Sequence, residues 1–322
     1  TQHAPNNHTG WATFTSKPWL VLKCKFSDRP EEPQPNSFFR ELFTKDGWGG
    51  TVDYFRDISY GSWDLRGTTL HDNWYTMNVT LAGAESLTRY QRTQKCVDAY
   101  GGSTSGYVNV VALINARIDS GFHGRVLLDP WAWNVTVAAH EMLHGFGYGH
   151  SFDDTTRKSA SWSLPGEYFD YWDVMSAMNV YTFANHNGLA AGPEMNAPYK
   201  TKNGWIPSHR QTRLVPGSTT QTVTLNIASI NRPEANGPLL VRVGSNNNDY
   251  YTIEYRMKSG WDQGIPQNTV LVHRVVSGVS YLITAGGTQR LPGSSYTFGS
   301  GFNLKVNSFA SQGYTASVTI RY

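Results

Sequence analysis

Residues 135–150 read VTVAAHEMLHGFGYGH, and three of their histidines stand at spacings that suit a metal ion. His140 and His144 are four residues apart, so on a helix they project from one face, one turn above the other. His150 follows after Gly147, a residue able to break the helix through a backbone conformation that a side chain would penalise. That turn predicts His150 as a third ligand. Three imidazoles with one open position are the donor set of a catalytic zinc, not of a closed structural one. Glu141 leaves the helix beside His140, near enough to reach a water on the ion but not to ligate it. The chemistry this predicts is water activation, with Glu141 as general base and acid.

Such a site needs a buried helix to carry it. Val135 to Ala139 are apolar apart from Thr136, and Asn134 stands where a helix cap is expected. Upstream, Trp19 to Phe26 reads as a buried strand carrying Cys24, and Tyr107 to Ile118 as a second strand, central in the sheet or close to its edge. Helices are predicted over 37–43, 51–59 and 87–100, the last ending at Gly101–Gly102 with Cys96 in its second half. Trp63 to Met77 alternates around Gly and Asp and predicts a hairpin. Residues 1–17 are polar and aperiodic. After His150 an irregular stretch leads to DVMSAMNVY at 173–181, which offers Met175, or else Met178, as a floor to the ligands.

From about residue 208 the texture changes. Seven short alternating runs separated by Gly, Asn, Pro and Ser predict an antiparallel β-sandwich. The expected architecture is therefore an α+β domain over 1–207, with a twisted mixed sheet, helices and the metal-bearing helix. An all-β antiparallel sandwich is expected over 208–322.

The composition narrows the setting. A net charge of +3 on 322 residues, with no run of Lys or Arg, points away from nucleic-acid and anionic-membrane partners. No apolar run has transmembrane length and no signal-like start is present, so Thr1 reads as a processed terminus with any signal and pro-segment removed. Charged residues make up 16% and aromatics 13%, a balance that suits a secreted, strand-rich protein. The two cysteines, Cys24 and Cys96, are too few for a thiolate metal site and are expected to pair in an oxidising compartment, contributing about 4 kcal/mol in the chain-entropy model. Asn7, Asn78 and Asn134 open N-x-[ST] triplets and are candidate glycosylation sites. Asp153, Asp154, Asp170 and Asp173 are candidates to orient the ligand histidines, with turn or capping roles as the ordinary alternative. Structural calcium at Asp153–Asp154 has no motif behind it.

The eleven-residue pattern H-E-x-x-H-x-x-G-x-x-H, with Met175 in a turn after it, resembles the metzincin metalloproteases. VDYFRDISYGSWDLRGTTLHDNWYT (52–76), NAPYKTKNGWIP (196–207) and YYTIEYRMKSGWDQGIPQNTVLVHRV (250–275) resemble the secreted peptidases around immune inhibitor A and gametolysin. The resemblance implies an open parallel sheet with an edge strand that binds peptide in extended form. It also implies His140, His144 and His150 as zinc ligands, Glu141 as catalytic residue and Met175 as the turn methionine. Ala177 departs from relatives that carry a tyrosine two residues after that methionine; Tyr181 is nearby without an assigned task. The expectation is a monomeric extracellular zinc endopeptidase acting on proteins or peptides. The rival is a binding or adhesion protein whose sandwich carries the function, with Trp261, Tyr281 and Tyr296 lining a groove and the metal site residual.

Overall fold

The computed structural model describes residues 14–299 and 301–322. It is a mixed α/β structure, mostly sheet with few helices, and the chain divides into two compact units. The first holds residues 14–148 and Phe183–Ala191; the second holds Gly149–Thr182 and Gly192–Tyr322. Residue 208, where the texture of the sequence changes, lies inside the second unit.

The first unit is built on a five-stranded sheet in the order Thr69–Thr76, Leu20–Lys25, Val110–Ile114, Val126–Leu128, Gly121–Phe122. The first four strands are parallel and the last is antiparallel. Leu20–Lys25 and Val110–Ile114 are buried almost throughout, which is why they read as continuous apolar runs and not as alternating ones. Lys23 interrupts the first run and is itself fully buried. Its Nζ donates to the Asp72 carbonyl at 2.8 Å and to Asn36 Oδ1, and lies over the rings of Trp74 and Phe39. Burial holds that ammonium below its usual range, with Asp72 opposing the shift.

Helices Asn36–Phe43, Thr51–Ile58 and Arg89–Tyr100 fall where the apolar spacing predicts them. The last begins at a capping box between Thr88 and Gln91 and ends at Gly101, whose φ of 66° is the left-handed stop. Cys24 and Cys96 form the expected disulfide, fastening the strand Leu20–Lys25 to this helix. The hairpin expected over 63–77 is not formed. Trp63–Asp64 pairs in parallel with Thr15–Ser16, while Thr69–Thr76 joins Leu20–Lys25 in parallel as the sheet edge. Alternation reports one half-exposed face, and an edge strand has that face as much as a hairpin does.

In the second unit all seven expected runs form strands. One sheet runs Gln211–Leu214, Leu240–Val243, Asp249–Arg256, Thr269–Val276, Val279–Leu282, Phe152–Asp153. The other runs Thr222–Ala228, Thr315–Arg321, Phe302–Phe309, Ser295–Phe298. Ile253, Tyr255, Val270 and Val272 of the first sheet share one core with Leu304, Val306, Val318 and Ile320 of the second, which makes the pair a sandwich. It is not wholly antiparallel: Gln211–Leu214 and Phe152–Asp153 add to the first sheet in parallel.

A buried network of charges ties the irregular segments to this sheet. Arg256, without exposure, donates twice to Asp262 at 2.7 Å and once to the Trp172 carbonyl at 2.6 Å. Lys200 pairs with Glu194 at 2.7 Å. Asp173 accepts from the backbone N–H and side-chain amide of Asn196, both at 3.0 Å. Charges removed this far from water are tolerated only when paired and hydrogen-bonded, so the network specifies one path for the chain around residues 170–200.

Candidate metal centre

The helix Val135–Gly145 carries two of the three histidines. Asn134 caps it, its Oδ1 accepting the Val137 N–H at 3.0 Å. Every residue from Val135 to Leu143 is buried, so the helix is held by packing on all sides of its first two turns. It runs against the strands Gly121–Phe122 and Val126–Leu128. At its end the Gly147 N–H bonds to the His144 carbonyl at 2.9 Å and the Tyr148 N–H to the Leu143 carbonyl at 3.1 Å. Gly147 has a φ of +90° with open space where a Cβ would stand. Its glycine is thus required by backbone conformation and not by crowding.

His140 is 1% exposed, and its ring meets that of His144 edge-on with centroids 4.7 Å apart. Their Nε2 atoms face each other at 3.1 Å. His144 Nδ1 lies 2.8 Å from the Tyr148 carbonyl oxygen, which can only accept. Nδ1 therefore bears the proton and Nε2 presents its lone pair. His150 Nδ1 lies 2.6 Å from Glu167 Oε1, which sets the same tautomer. The ligand atoms of His140, His144 and His150 all lie within 4.8 Å of one another, and the group could hold a metal ion. Imidazoles gathered in this way, with the outer Nδ1 of His144 and of His150 engaged, suit a transition metal of the Zn, Cu, Fe or Ni kind. Among the described residues no other three His, Cys, Asp or Glu side chains come together in this way.

Glu141 is 5% exposed. Burial pushes its carboxyl up to about 7, with the Arg89 guanidinium opposing and Asp119 adding to the rise. Arg89 is itself clamped in a bidentate pair with Asp119, both contacts at 2.8 Å. A carboxyl poised near neutrality can take up a proton and give it back, which general acid–base work requires.

Met175 is fully buried in a turn closed by the Ser176 N–H on the Asp173 carbonyl at 3.0 Å. Its own carbonyl accepts the Ser151 N–H at 2.9 Å, next to His150 in the chain. Met178, the other methionine of this stretch, is half-buried. Tyr181 packs its ring on Trp172 and Tyr171 at 4.8 and 5.7 Å, and burial raises its phenol above the usual range, with Tyr171 adding.

None of the four aspartates offered by the sequence has a ligand histidine as its partner. Asp153 accepts from Thr155 and pairs with Arg157 at 2.7 Å; Asp154 accepts from Thr284; Asp170 pairs with His273; Asp173 holds Asn196. Glu167 takes the place expected of them, with the Tyr148 carbonyl serving His144. Tyr199 was also hidden in the sequence: its hydroxyl donates to the His150 carbonyl at 2.6 Å, and burial drives its phenol well above the usual range. No periodicity marks either residue, because each reaches its partner from a loop or helix remote in sequence.

Of the glycosylation candidates, Asn78 is exposed and Asn134 caps the helix through its Oδ1, while Asn7 lies outside the described residues. Trp261, Tyr281 and Tyr296 are half-buried; Tyr281 packs on Phe152 at 5.4 Å and Tyr296 lies under Arg290 at 4.1 Å. Among the described residues no helix is long and apolar enough to cross a membrane. Comparison with known protein families and with curated proteins returns no match to this chain.

Proposed function

We propose that the chain is an extracellular zinc endopeptidase of metzincin type, acting on proteins or peptides as a monomer. The observation that carries this reading is the placement of Glu141 directly beside His140 on a buried helix, within a group of three histidines able to hold a metal ion. A site that only stored or transported an ion would gain nothing from a buried carboxyl at that position, which costs stability to maintain. The Cys24–Cys96 disulfide supports an oxidising, extracellular setting.

Zinc, when bound, supplies a Lewis acid that polarises a carbonyl and lowers the pKa of water. His140, His144 and His150 would hold it through Nε2, with the Tyr148 carbonyl and Glu167 fixing the tautomers of the last two. Glu141 accepts the proton released by the attacking water and delivers it to the leaving amine nitrogen. Met175 keeps the chain at Ser151 in place, and Tyr199 does the same at the His150 carbonyl.

The deciding experiment is hydrolysis of casein or gelatin by the full chain. Activity abolished by a chelator and restored by zinc supports the reading. A zinc-loaded protein that cleaves neither these substrates nor a diverse peptide library refutes it.

A further inference from the structure

The Glu167 carboxylate makes two contacts, one with each oxygen. Oε1 lies 2.6 Å from His150 Nδ1, and Oε2 accepts the Leu164 backbone N–H at 2.7 Å. Glu167 is 8% exposed, so water competes poorly for either oxygen.

The place it occupies is built. Phe152 and Glu167 form an antiparallel bridge, the Asp153 N–H bonds to the Gly166 carbonyl at 2.9 Å, and the Gly166 N–H to the Arg157 carbonyl at 2.7 Å. A Cβ on Gly166 would stand 2.2 Å from the Asp153 carbonyl oxygen, and its φ is +77°, so glycine alone permits this approach. Within the loop, Asp153 Oδ1 accepts from the Thr155 backbone and hydroxyl, and Oδ2 pairs with Arg157. Apolar burial does little to hold the far side, where Trp162 is 73% and Leu164 59% exposed. Polar contacts therefore carry much of that segment, and Glu167 supplies one of them.

We propose that Glu167 is a positioning residue that joins His150 to the 154–166 loop, so that metal affinity and loop order depend on each other. This rests on reading the three histidines as a metal site. A ligand imidazole is fixed and made more basic when its outer N–H is held by a carboxylate. A carboxylate held only by the imidazole would turn with it. Held at its other oxygen by a backbone N–H, it resists that turn. Linkage makes the effect reciprocal: a cation on His150 polarises Nδ1–H, strengthens its bond to Glu167 and steadies Leu164. Glutamine at 167 retains one acceptor oxygen and replaces the other with a donor, so it can serve His150 or Leu164 but not both.

The test compares the full chain with Glu167→Gln, Glu167→Ala and Leu164→Ala. Zinc affinity is measured by competition with a chromophoric chelator, and backbone hydrogen exchange is followed at residue 164. The expected result is a loss of about 10–100-fold in zinc affinity for both Glu167 variants. Without metal both variants should stay folded with a modestly lowered melting temperature, so the affinity loss is read on folded protein and exceeds what a merely structural residue would cause. Leu164→Ala keeps the backbone N–H and should keep its affinity. In wild type, stripping zinc should speed exchange at Leu164; in Glu167→Gln the rate should respond less. If Glu167→Ala does not fold, the near-isosteric Gln variant decides. Affinities within twofold of wild type in the folded Glu167 variants, or exchange at Leu164 indifferent to zinc, overturn the proposal alone. A wild-type chain that takes up no zinc overturns the metal reading beneath it.

Discussion

His273 Nε2 lies 2.8 Å from Asp170 Oδ2, and neither side chain has any exposure to solvent. Its Nδ1 lies 3.2 Å from Glu254 Oε1, a residue equally buried. Burial alone would depress the imidazole. Asp170 and Glu254 outweigh it and raise the group from 6.5 to about 10. His273 is thus a cation at neutral pH, a structural one, on the strand Thr269–Val276.

The sign of its pH dependence follows. A folded pKa above the unfolded one stabilises fully below about pH 6.5 and is lost as pH rises through about 10. Asp173, pushed by burial and by Asp170 up to about 7, also loses stabilisation with rising pH, but between its ordinary 3.8 and 7. The two windows overlap near pH 7, and the His273 window extends above that of Asp173 to about pH 10. Urea unfolding from pH 6.5 to 10 should show stability falling by on the order of a few kcal/mol. His273→Gln should be less stable throughout, by about 3–5 kcal/mol at pH 6.5, because it strands two buried carboxylates. Its stability should also be flatter over that range. Equal slopes in the two proteins would exclude His273 as the titrating group.

Glu141→Gln should bind zinc as wild type does while its peptide turnover falls by about 10³-fold or more, since the amide cannot take a proton. His144→Ala should lose both zinc and activity. Equilibrium dialysis with metal analysis separates the two variants. Near wild-type turnover in the Gln variant would remove Glu141 from the mechanism.

Gly145 is limited by its neighbour. A Cβ there would lie 2.5 Å from Cη2 of Trp19, a fully buried ring that cannot yield without disturbing the core. Gly145→Ala should therefore destabilise by about 1–3 kcal/mol, against the gain that alanine normally brings inside a helix. Thermal unfolding reads this directly. A variant as stable as wild type would mean the ring has room to shift.

Asn134 donates its amide to the Trp131 carbonyl at 3.4 Å while its oxygen caps the helix, and Thr136 of its triplet is fully buried. A glycan there would be carried by the amide nitrogen that faces the Trp131 carbonyl. Expressed through a eukaryotic secretory route, the chain should carry sugar at Asn78 and none at Asn134, as read by glycopeptide mass spectrometry. Asn134→Ala should cost about 1 kcal/mol of stability. An Asn134→Ala variant as stable as wild type would contradict the capping role.

Legibility followed the range of the interaction. The helix Val135–Gly145, its Asn134 cap, the Gly147 turn and the 140/144/150 spacing are local, set by 3.6-residue periodicity and by backbone conformations that few residues adopt, so seventeen consecutive residues were enough to read them. The apolar-rich runs at 19–26 and 107–118 announced buried strands, and seven alternating segments announced the sandwich, for the same reason. Strand partners were a different matter. Whether Thr69–Thr76 turns back on Trp63–Asp64 or joins Leu20–Lys25 depends on which surface each can bury, and no window of sequence contains that answer.

The same holds around the metal centre. Four aspartates near His150 were plausible partners, yet each found another use, and Glu167 reached the ring because Gly166 lets the returning chain lie against Asp153. Residues 149–182 fall in one compact unit with the sandwich because Phe152–Asp153 extends its sheet, Asp154 accepts from Thr284 and Arg256 holds the Trp172 carbonyl. The last two contacts span 130 and 84 residues of chain. Sequence alone determined which side chains could do chemistry; folding decided which neighbours hold them, because hydrogen bonds and buried charges are satisfied by whatever the tertiary packing brings within about 3 Å.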